Sequence, residues 1–466
     1  MSQSQAAAIA ARLDRLPASR HVWRLVVLIS FGGCFEFYDL FFTGYIAPGL
    51  IRGGFFTPAS LGPFAALGLL GAAGFATFVF ATFAGLFLGT IVFGYVADRF
   101  GRRLVFTASL LWYSAASIVL AFQTSGEGLV LWRFIAGVGI GVELVTIDTF
   151  ISELIPARDR GRAFAVNQFI TFLAVPCVAF LAWILVPLKP LGLDGWRWVV
   201  LLGASGALVI WFIQRAVPES PRWLALHGRL VDAERETAAL EAAVAAETGV
   251  ALLPPAPHPA LPPVRGSLAE IFRPPYGART RMLSVFNFFQ VIGFYGFAAW
   301  APTLLIAEHI TVTASLRYAF IIAIANPFGP LLGTLIADRV ERKWQIVGGA
   351  FGMAVFMLLF VLQRSGPLVI LCGVLFTLSA NIMSFAYHGY QAELFPTRIR
   401  ARAVGFVYSW SRVSAAFAGL FIGFFLSHGG TMSVALFIAF SMAIVILTVA
   451  TYGPPTRGRP LEEISP

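Results

Sequence analysis

Charged residues and cysteines are scarce in this 466-residue sequence. Only 12% of the residues are charged, whereas 58% are hydrophobic, and the mean hydropathy is +0.81. Such a balance is too apolar for a water-soluble fold and indicates an integral membrane protein. The three cysteines, Cys34, Cys177 and Cys372, lie in separate apolar runs without metal-ligand spacing. We therefore expect neither a disulfide framework nor a metal site.

Other features of soluble or secreted proteins are also missing. The polar start of the chain is followed by an apolar run that is too long and too aromatic for a cleavable signal peptide. No nucleophile–base arrangement or phosphate-binding loop stands outside the apolar runs, so we expect no enzyme activity and no cofactor. Gly137, Gly139 and Gly141 imitate a dinucleotide fingerprint. They lie inside an apolar run, however, and fit close helix packing better.

The apolar runs are long enough to cross a membrane, which takes a helix of about 20 residues. Twelve such windows lie near residues 25–49, 72–97, 104–124, 128–152, 163–187, 196–216, 282–308, 314–337, 344–363, 367–392, 403–427 and 430–452. We predict an all-α membrane protein with twelve transmembrane helices.

Two parts of the sequence repeat each other at an offset of 240 residues. The tract ELIPARDRGR at 153–162 corresponds to ELFPTRIRAR at 393–402, and Ala97-Asp98-Arg99 corresponds to Ala337-Asp338-Arg339. The repeat predicts two pseudo-symmetric six-helix bundles. Transporters whose central site opens alternately to each side of a membrane are built in this way.

Lysine and arginine are concentrated in every second connection between the apolar windows. The positive-inside rule then predicts that both termini are cytoplasmic. Topology thus explains the net charge of +10, so we expect contact with the lipid bilayer and no nucleic-acid partner. The predicted parts are an N-terminal arm (1–24), a first bundle (25–216), a cytoplasmic linker (217–280), a second bundle (281–452) and a tail (453–466). In the linker, surface helices precede a proline-rich spacer.

The tract GYVADRFGRR at 94–103 resembles the loop signature of the major facilitator superfamily, and 333–343 is a degenerate echo of it. Its charges can hold helix ends together in one conformation and release them in another, although they could also serve only as a topology signal. The predicted cytoplasmic latch consists of Gly94, Asp98, Arg99, Gly101, Arg102, Arg103, Glu153, Arg162, Glu219, Arg222, Asp338, Arg339, Glu393 and Arg402.

Further tracts resemble the sugar porter branch of this superfamily and its metabolite-transporting relatives. PESPRWL at 218–224 closes the sixth span, and the two repeated tracts close the fourth and tenth. The resemblance implies a secondary active transporter that imports a small solute together with protons. We expect a monomer in the plasma membrane, which for a bacterium is the inner membrane.

Ionisable residues inside the apolar windows are candidates for function, because each costs at least about 2.5 to 3.5 kcal/mol in the bilayer core. Asp39 matches the first-span proton acceptor of proton-coupled sugar porters, and Arg133 matches its fourth-span partner. We expect Asp39 to exchange a proton as its pairing with Arg133 breaks and forms; the alternative is a static ion pair. Glu36, on the same helical face as Asp39, and Glu143 are further proton-coupling candidates.

The candidate substrate contacts depart in part from a sugar site. Gln168 and Gln290 match sugar-contacting glutamines, but Tyr295 stands in place of an asparagine and His388 in place of a stacking tryptophan. These changes favour a small organic anion, such as an aromatic or sugar acid, over a plain hexose.

Arg412 is the candidate anion anchor, since its planar guanidinium suits a carboxylate. It could instead pair with Glu143 or extend toward the cytoplasm, and His388 could be a packing residue. Asn287 and Asn381 are also expected to line the site. A neutral sugar symporter, a drug or metabolite exporter and a transporter-like sensor remain as alternatives.

Overall fold

The computed structural model describes residues 2–17, 19–70, 74–249, 252, 254, 268–337, 339–396, 399–457 and 464. Within these residues all regular elements are helices, as predicted. The first part of the chain forms α1 (Ser2–Asp14), α2 (Arg20–Arg52), α3 (Pro58–Leu61), α4 (Phe75–Phe100), α5 (Arg102–Ala121), α6 (Gly126–Leu154), α7 (Arg160–Phe172), α8 (Ala174–Leu185), α9 (Gly195–Ala204), α10 (Gly206–Ala216), α11 (Pro221–Leu226) and α12 (Leu230–Thr248). The second part forms α13 (Tyr276–Ala298), α14 (Ala301–Ala307), α15 (Val312–Ala323), α16 (Phe328–Ala337), α17 (Arg342–Leu362), α18 (Gly366–Glu393) and α19 (Arg400–Tyr452).

Every predicted window overlaps one of these helices or a helix pair. By length and composition, however, the described chain has eight helices able to cross a membrane, or nine if the bent pair α13–α14 is one span. That count takes α19 as one span and leaves out α4 and α9–α10, whose apolar stretches are shorter. The twelve-helix count therefore stays a prediction.

The long helix α19 is a hairpin of two helices. Gly430, with φ 67° and ψ −166°, interrupts it. Phe425 and Phe437 stack with their ring centroids 4.7 Å apart, whereas twelve residues of straight helix would separate them by about 18 Å. The two arms of α19 therefore lie side by side, where two separate windows were predicted.

Close packing of small residues joins α4 to α6. A Cβ added to Gly137 would lie 2.5 Å from the carbonyl oxygen of Thr82 and 3.3 Å from the Cα of Gly85. Side chains at these positions would push the helices apart, so the glycines serve backbone contact, as the sequence suggested. Large apolar side chains instead face outward, as expected for a lipid-facing surface: Leu88, Ile91, Leu104, Leu208, Phe351, Phe440 and Leu447.

The described charged residues of 99–103, 153–162, 393–396 and 399–402 lie at one end of the helices, here called the motif end. The opposite end is called the far end. Aromatic pairs join the two halves in the far part of the bundle. Phe75 and Trp300 lie 5.2 Å apart between ring centroids, and Trp183 stacks on Phe320 at 5.8 Å. These contacts close the space between the halves toward the far end.

A broken helix contributes to this contact. The axes of α13 and α14 differ by 64°, and Pro302 near the start of α14 favours such a break because it lacks an N–H. The break brings the backbone of Ala299 against Gly44 of α2, where an added Cβ would lie 2.6 Å from the Ala299 oxygen. Only glycine allows this approach, which joins the first span to the second half.

At the motif end, the N-terminal arm folds into α1, which the sequence analysis did not predict. Arg12 of α1 and Arg15, which directly follows α1, bind Glu241 of α12, with N–O distances of 2.6 and 2.7 Å. Burial opposes ionisation, but the hydrogen bonds from Arg12 and Arg15 prevail and lower the pKa of Glu241. Arg222 of α11 binds Asp14 at 2.7 Å. The arm and the linker helices thus form one assembly beneath the first half.

Candidate functional site

A buried ion pair lies in the first half, between α2 and α6. Asp39 Oδ1 is 2.5 Å from Arg133 Nη1, and neither side chain is exposed to solvent. The ring of Phe42 lies under the guanidinium, 4.4 Å from ring centroid to Cζ. The two residues that the sequence analysis paired are therefore in contact, while their role in proton coupling stays a prediction.

Hydrogen bonds saturate this pair. Arg133 also donates to the Asp39 carbonyl at 2.8 Å, to Thr43 Oγ1 at 2.8 Å and, through Nε, to Thr82 Oγ1 at 3.0 Å. Ser117 donates to Asp39 Oδ2 at 2.6 Å. We call these five residues the Asp39 cluster. The sequence analysis missed its three hydroxyls, although Thr43 lies four residues after Asp39 on the same helical face.

A second charged group lies closer to the motif end and is much less saturated. Glu36 is 1% exposed and Glu143 is fully buried. Among the described residues, Glu36 Oε1, both Glu143 oxygens and the hydroxyl of Tyr113 have no hydrogen-bond partner of normal geometry. Glu36 interacts electrostatically with Glu143 and with Arg412 of the second half. We call Glu36, Tyr113, Glu143 and Arg412 the Glu36 cluster.

Arg412 is buried, with 5% of its surface exposed, and aromatic side chains surround it. Its Nη2 donates to the hydroxyl of Tyr408 at 3.1 Å, and its Cζ lies 4.8 Å from the centroid of that ring. Tyr295 and Tyr387 also interact with it, while its Nε has no partner in the described chain. No carboxylate of the described residues lies within ion-pair distance of it. The predicted salt bridge to Glu143 is therefore not formed in this structure, whereas the other alternative, extension toward the cytoplasm, stays open.

Solvent reaches this region. Asp148 and His388 both interact electrostatically with Arg412, and both side chains are exposed. His388 Nδ1 lies 2.7 Å from the carbonyl of Ser384 and so donates to it, which leaves Nε2 free to act as an acceptor in the neutral ring. Because the far end is closed by aromatic contacts, we infer that water enters between the halves from the motif end.

The other predicted substrate contacts lie apart from Arg412. Asn381 lines a cavity of about 30 Å³ between the halves, where it donates to Asn326 Oδ1 at 3.3 Å. Asn287 donates to the Leu283 carbonyl, and its own Oδ1 has no partner in the described residues. Gln290 is buried and Gln168 is half-buried. The structure places Tyr295, His388 and Arg412 together and puts Asn381 in a separate pocket.

That pocket also contains residues that the sequence analysis passed over. Phe41 and Tyr45 of α2 face Phe297 and Phe376 of the second half, with Asn326 at its edge. Asn326 is a polar residue within an apolar window and directly precedes Pro327, where the helix pair α15–α16 is interrupted. This combination of a polar side chain and a helix break could have identified Asn326 from the sequence as a candidate site residue.

At the motif end, five predicted latch residues form one cluster in the first half. Arg102 Nη2 is 3.1 Å from Glu153 Oε1, and Arg222 donates to the Glu153 carbonyl at 2.9 Å. Glu219 accepts from the backbone N–H groups of Arg102 and Arg103 at 3.0 and 3.2 Å. Burial raises the pKa of Glu219 in spite of these hydrogen bonds.

The second half repeats this arrangement. Glu393 pairs with Arg342, and these residues are related by the 240-residue offset to Glu153 and Arg102. Each pair joins helices within one half, so in this structure the pairs do not hold the halves together.

Of the other latch candidates, Gly101 makes the turn between α4 and α5 with φ 102°. Four arginines are exposed: Arg99, Arg162, Arg339 and Arg402. Asp338, the side chain of Asp98 and the surroundings of Gly94 lie outside what the structure describes.

Several curated proteins are similar to this chain along its length. The inner membrane metabolite transport protein YdjE of Escherichia coli is 28% identical and covers 98% of each chain. The niacin transporter NiaP of Acinetobacter baylyi is 26% identical over 98% of this chain and 99% of its own. The 4-hydroxybenzoate transporter PcaK of Pseudomonas aeruginosa is 27% identical over 89% of this chain and 88% of its own.

A solved structure and a family model agree with these sequence similarities. An inward open structure of the xylose transporter XylE from Escherichia coli matches with a TM-score of 0.73 and 21% identity, over 95% of this chain and 99% of that one. This likeness shows the fold. The sequence model described as sugar (and other) transporter matches residues 25–466. The chain is a multi-pass membrane transporter that belongs to the sugar (and other) transporter family, a sugar porter-like branch of the major facilitator superfamily.

Proposed function

We propose that this protein imports a small organic anion, preferably an aromatic monocarboxylate, together with protons by alternating access. The observation that carries the proposal is the buried guanidinium of Arg412 between the halves. It lies among tyrosine rings and within reach of solvent-exposed groups, but without a carboxylate at ion-pair distance in the described chain. A buried cation without a salt-bridge partner is costly, and an anionic ligand would relieve that cost.

The aromatic surroundings favour a ring-bearing anion over a sugar. Tyr408 stacks beneath the guanidinium, and Tyr387 and His388 lie next to it with their ring centroids 4.1 Å apart. Aromatic walls with few polar groups suit a planar ligand whose carboxylate binds arginine. The names of two relatives, a niacin transporter and a 4-hydroxybenzoate transporter, point to the same chemistry.

The Asp39 cluster supplies the proton coupling in this proposal. Asp39 accepts a hydrogen bond from Ser117 and pairs with Arg133, and both contacts favour its ionised form in this conformation. A rearrangement that withdraws Arg133 would leave a buried carboxylate without a counterion, which favours proton uptake. Proton and substrate binding are then linked reciprocally. We place the motif end and both termini in the cytoplasm of a plasma membrane, with a monomer as the working unit.

Reconstitution tests this proposal directly. The purified full-length chain is incorporated into liposomes, and uptake of niacin, 4-hydroxybenzoate and xylose is measured with and without an inward proton gradient. We expect both aromatic acids to accumulate above their equilibrium level only with the gradient. Protein-free liposomes correct for passive entry of the neutral acids.

The same experiment decides between the alternatives. Gln168 and Gln290 keep amide groups that suit a neutral sugar, so accumulation of xylose without the acids would replace the proposed substrate class. Loss of preloaded acid against its gradient would indicate an exporter. Uptake of the acids that is unaffected by the proton gradient would contradict symport.

A further inference from the structure

Asn381 presents a buried acceptor oxygen between the two halves. Its side chain is 2% exposed and lines the cavity of about 30 Å³ that Phe41 and Tyr45 close from the first half. Among the described residues, the Oδ1 of Asn381 has no hydrogen-bond partner. A buried carbonyl oxygen without a donor is costly, so this oxygen favours a ligand that donates a hydrogen bond to it.

The orientation of the Asn381 amide follows from its neighbours. Its Nδ2 lies 3.0 Å from the carbonyl oxygen of Thr377, one helical turn earlier on α18, and 3.3 Å from Asn326 Oδ1. A backbone carbonyl only accepts, so the atom beside Thr377 must be the nitrogen. The amide of Asn326 is fixed in the same way, because its Nδ2 donates to the Ala323 carbonyl at 3.1 Å. Both amide hydrogens of Asn381 are therefore used, and the atom left for a ligand is an acceptor.

Close packing holds this side chain in place. A Cβ added to Gly329 of α16 would collide with the Cβ of Asn381 and lie 2.8 Å from its Cγ, so the amide fits because residue 329 has no side chain. Most of the other cavity walls are apolar, with Phe41, Phe297 and Phe376 among them. A ligand group that reaches Asn381 must therefore combine an apolar body with a hydrogen-bond donor.

The cavity lies in line with the proposed anion site. Asn381 and His388 are seven residues apart on α18, so they share a helical face and are separated by about 10 Å along the axis. The ring of His388 lies 6.0 Å from the ring of Tyr408 between centroids, and Tyr408 is the ring beneath the guanidinium of Arg412. An aromatic acid whose carboxylate binds Arg412 can therefore direct the opposite side of its ring toward Asn381.

A second cavity, of about 10 Å³, lies next to the first. It is lined by Tyr295 and shares the walls Phe41 and Ala298 with the cavity at Asn381. The larger cavity holds a group the size of a hydroxyl, since one water needs about 10–15 Å³, whereas neither cavity holds a ring. The ring enters only when the halves move apart, and alternating access supplies that movement. The structure thus contains a preformed place for the hydroxyl alone.

We propose that Asn381 determines specificity for the group opposite the carboxylate, with its Oδ1 accepting a hydrogen bond from a hydroxyl at the para position of the ring. The inference rests on the proposed function, in which Arg412 binds the carboxylate, and it narrows the substrate class to hydroxylated aromatic monocarboxylates. A phenolic hydroxyl, with a pKa of about 10, keeps its proton at neutral pH and can donate. The ring nitrogen of niacin only accepts there, so niacin leaves the oxygen of Asn381 without a donor.

Matched ligands test the donor without changing the protein. Titration calorimetry at neutral pH compares 4-hydroxybenzoate with 4-fluorobenzoate on the purified full-length protein, because the two substituents are similar in size and fluorine cannot donate. The hydroxylated acid should bind about threefold to tenfold more tightly. Benzoate and niacin should resemble 4-fluorobenzoate. Equal affinity for all four acids would overturn the proposal and leave Oδ1 to a water molecule.

A variant then assigns the preference to one residue. Asn381→Leu removes the acceptor at nearly constant volume, so 4-hydroxybenzoate should lose its advantage while 4-fluorobenzoate binds as in the wild type. Gln391→Leu is the matched control: Gln391 is also a buried amide of α18 whose oxygen has no partner in the described chain, but it lies at the motif end. This control should keep the wild-type preference.

The ratio of the two affinities is measured on one preparation, so a lower yield of folded protein does not imitate its loss. A preference that persists in Asn381→Leu, or that disappears in Gln391→Leu as well, would refute the assignment. If Asn381→Leu does not fold, the ligand comparison on the wild type decides.

The two proposals can fail separately. If the liposomes accumulate none of the four acids, the proposed function is wrong. If all four accumulate to the same ratio with the proton gradient and bind equally well, the proposed function stands and the hydroxyl site at Asn381 is excluded.

Discussion

The two buried charged clusters, the Asp39 cluster within the first half and the Glu36 cluster across both halves, differ in how well their polar atoms are satisfied. In the Asp39 cluster both carboxylate oxygens and all three guanidinium nitrogens have partners between 2.5 and 3.0 Å. In the Glu36 cluster most carboxyl oxygens have no hydrogen-bond partner within the described chain, and the cation that interacts with Glu36, Arg412, belongs to the other half. The first cluster is complete in itself, whereas the second depends on how the halves are arranged.

This difference separates two tasks that a symporter must perform. A saturated pair resists change, so it holds the helices of one half in register until a large rearrangement breaks it. An unsaturated group responds to whatever approaches it, so it can detect ligand and proton together. The following variants, ordered from the largest expected effect to the smallest, test whether the clusters differ in this way.

Arg133→Ala should produce the largest effect. It leaves Asp39 as a buried charge without a partner, and breaking such a pair costs about 3–5 kcal/mol. Thermal unfolding of the purified protein should reveal this loss, and Asp39→Ala/Arg133→Ala should recover most of it. A double variant as unstable as the single one would show that the hydroxyl partners, rather than the charge pair, hold this cluster together.

Arg412→Ala should weaken binding of aromatic acids by about 10- to 100-fold, because a hydrogen bond to a charged group contributes about 1.5–3 kcal/mol. Titration calorimetry or a ligand-induced thermal shift measures this change. Unlike Arg133→Ala, this variant should unfold close to the wild-type temperature, since Arg412 has no salt bridge to lose in the described chain. Equal loss of acid and xylose binding would assign Arg412 a structural role instead.

Asp39→Asn should lower proton-driven accumulation by about tenfold at a gradient of about one pH unit. The amide cannot carry the exchanged proton, but it keeps the shape of the side chain, so exchange of labelled for unlabelled substrate should continue. Uptake assays in liposomes measure both quantities. Undiminished accumulation would remove Asp39 from the coupling role and leave the coupling to the Glu36 cluster alone.

Glu219→Gln at the motif end should have the smallest effect, and it should depend on pH. Because the folded-state pKa of Glu219 is raised, the folded protein binds this proton more tightly than the unfolded chain does. The Glu219 contribution to stability therefore falls as the pH rises from the unfolded to the folded pKa. Unfolding curves across acidic and neutral pH should show this slope in the wild type and a flatter one in the variant. A steeper slope in the variant would contradict burial as the cause.

The sequence predicted the fold class because apolar windows specify membrane helices directly. The contact between Asp39 and Arg133 was predicted from the resemblance to proton-coupled sugar porters, and it agrees with the rule that a charge in the bilayer core needs a partner. The hydroxyls of Thr82 and Ser117 could not be predicted in this way. They come from two other helices, and only the packing of α4 and α5 brings them to the pair.

The surroundings of Arg412 were harder to predict for the same reason. Tyr408 lies one helical turn before it and was within reach of sequence reasoning. Glu36, Tyr295 and Arg412 come together only because three helices from two halves converge, which no pattern along the chain encodes. The helix α1 was missed because its sequence is weakly patterned and its partners lie more than 200 residues away on α12.

The C-terminal end of α12 also touches the start of the first membrane helix. Glu247 accepts from the backbone N–H groups of Arg20 and His21 at 2.6 and 2.8 Å, and so caps α2. We therefore expect the first half, α1 and α12 to tilt as a single rigid unit in the proposed transport cycle. That unit extends at least to Gly249, so changing the length of the chain after this residue should alter the relative movement of the halves without touching either charged cluster.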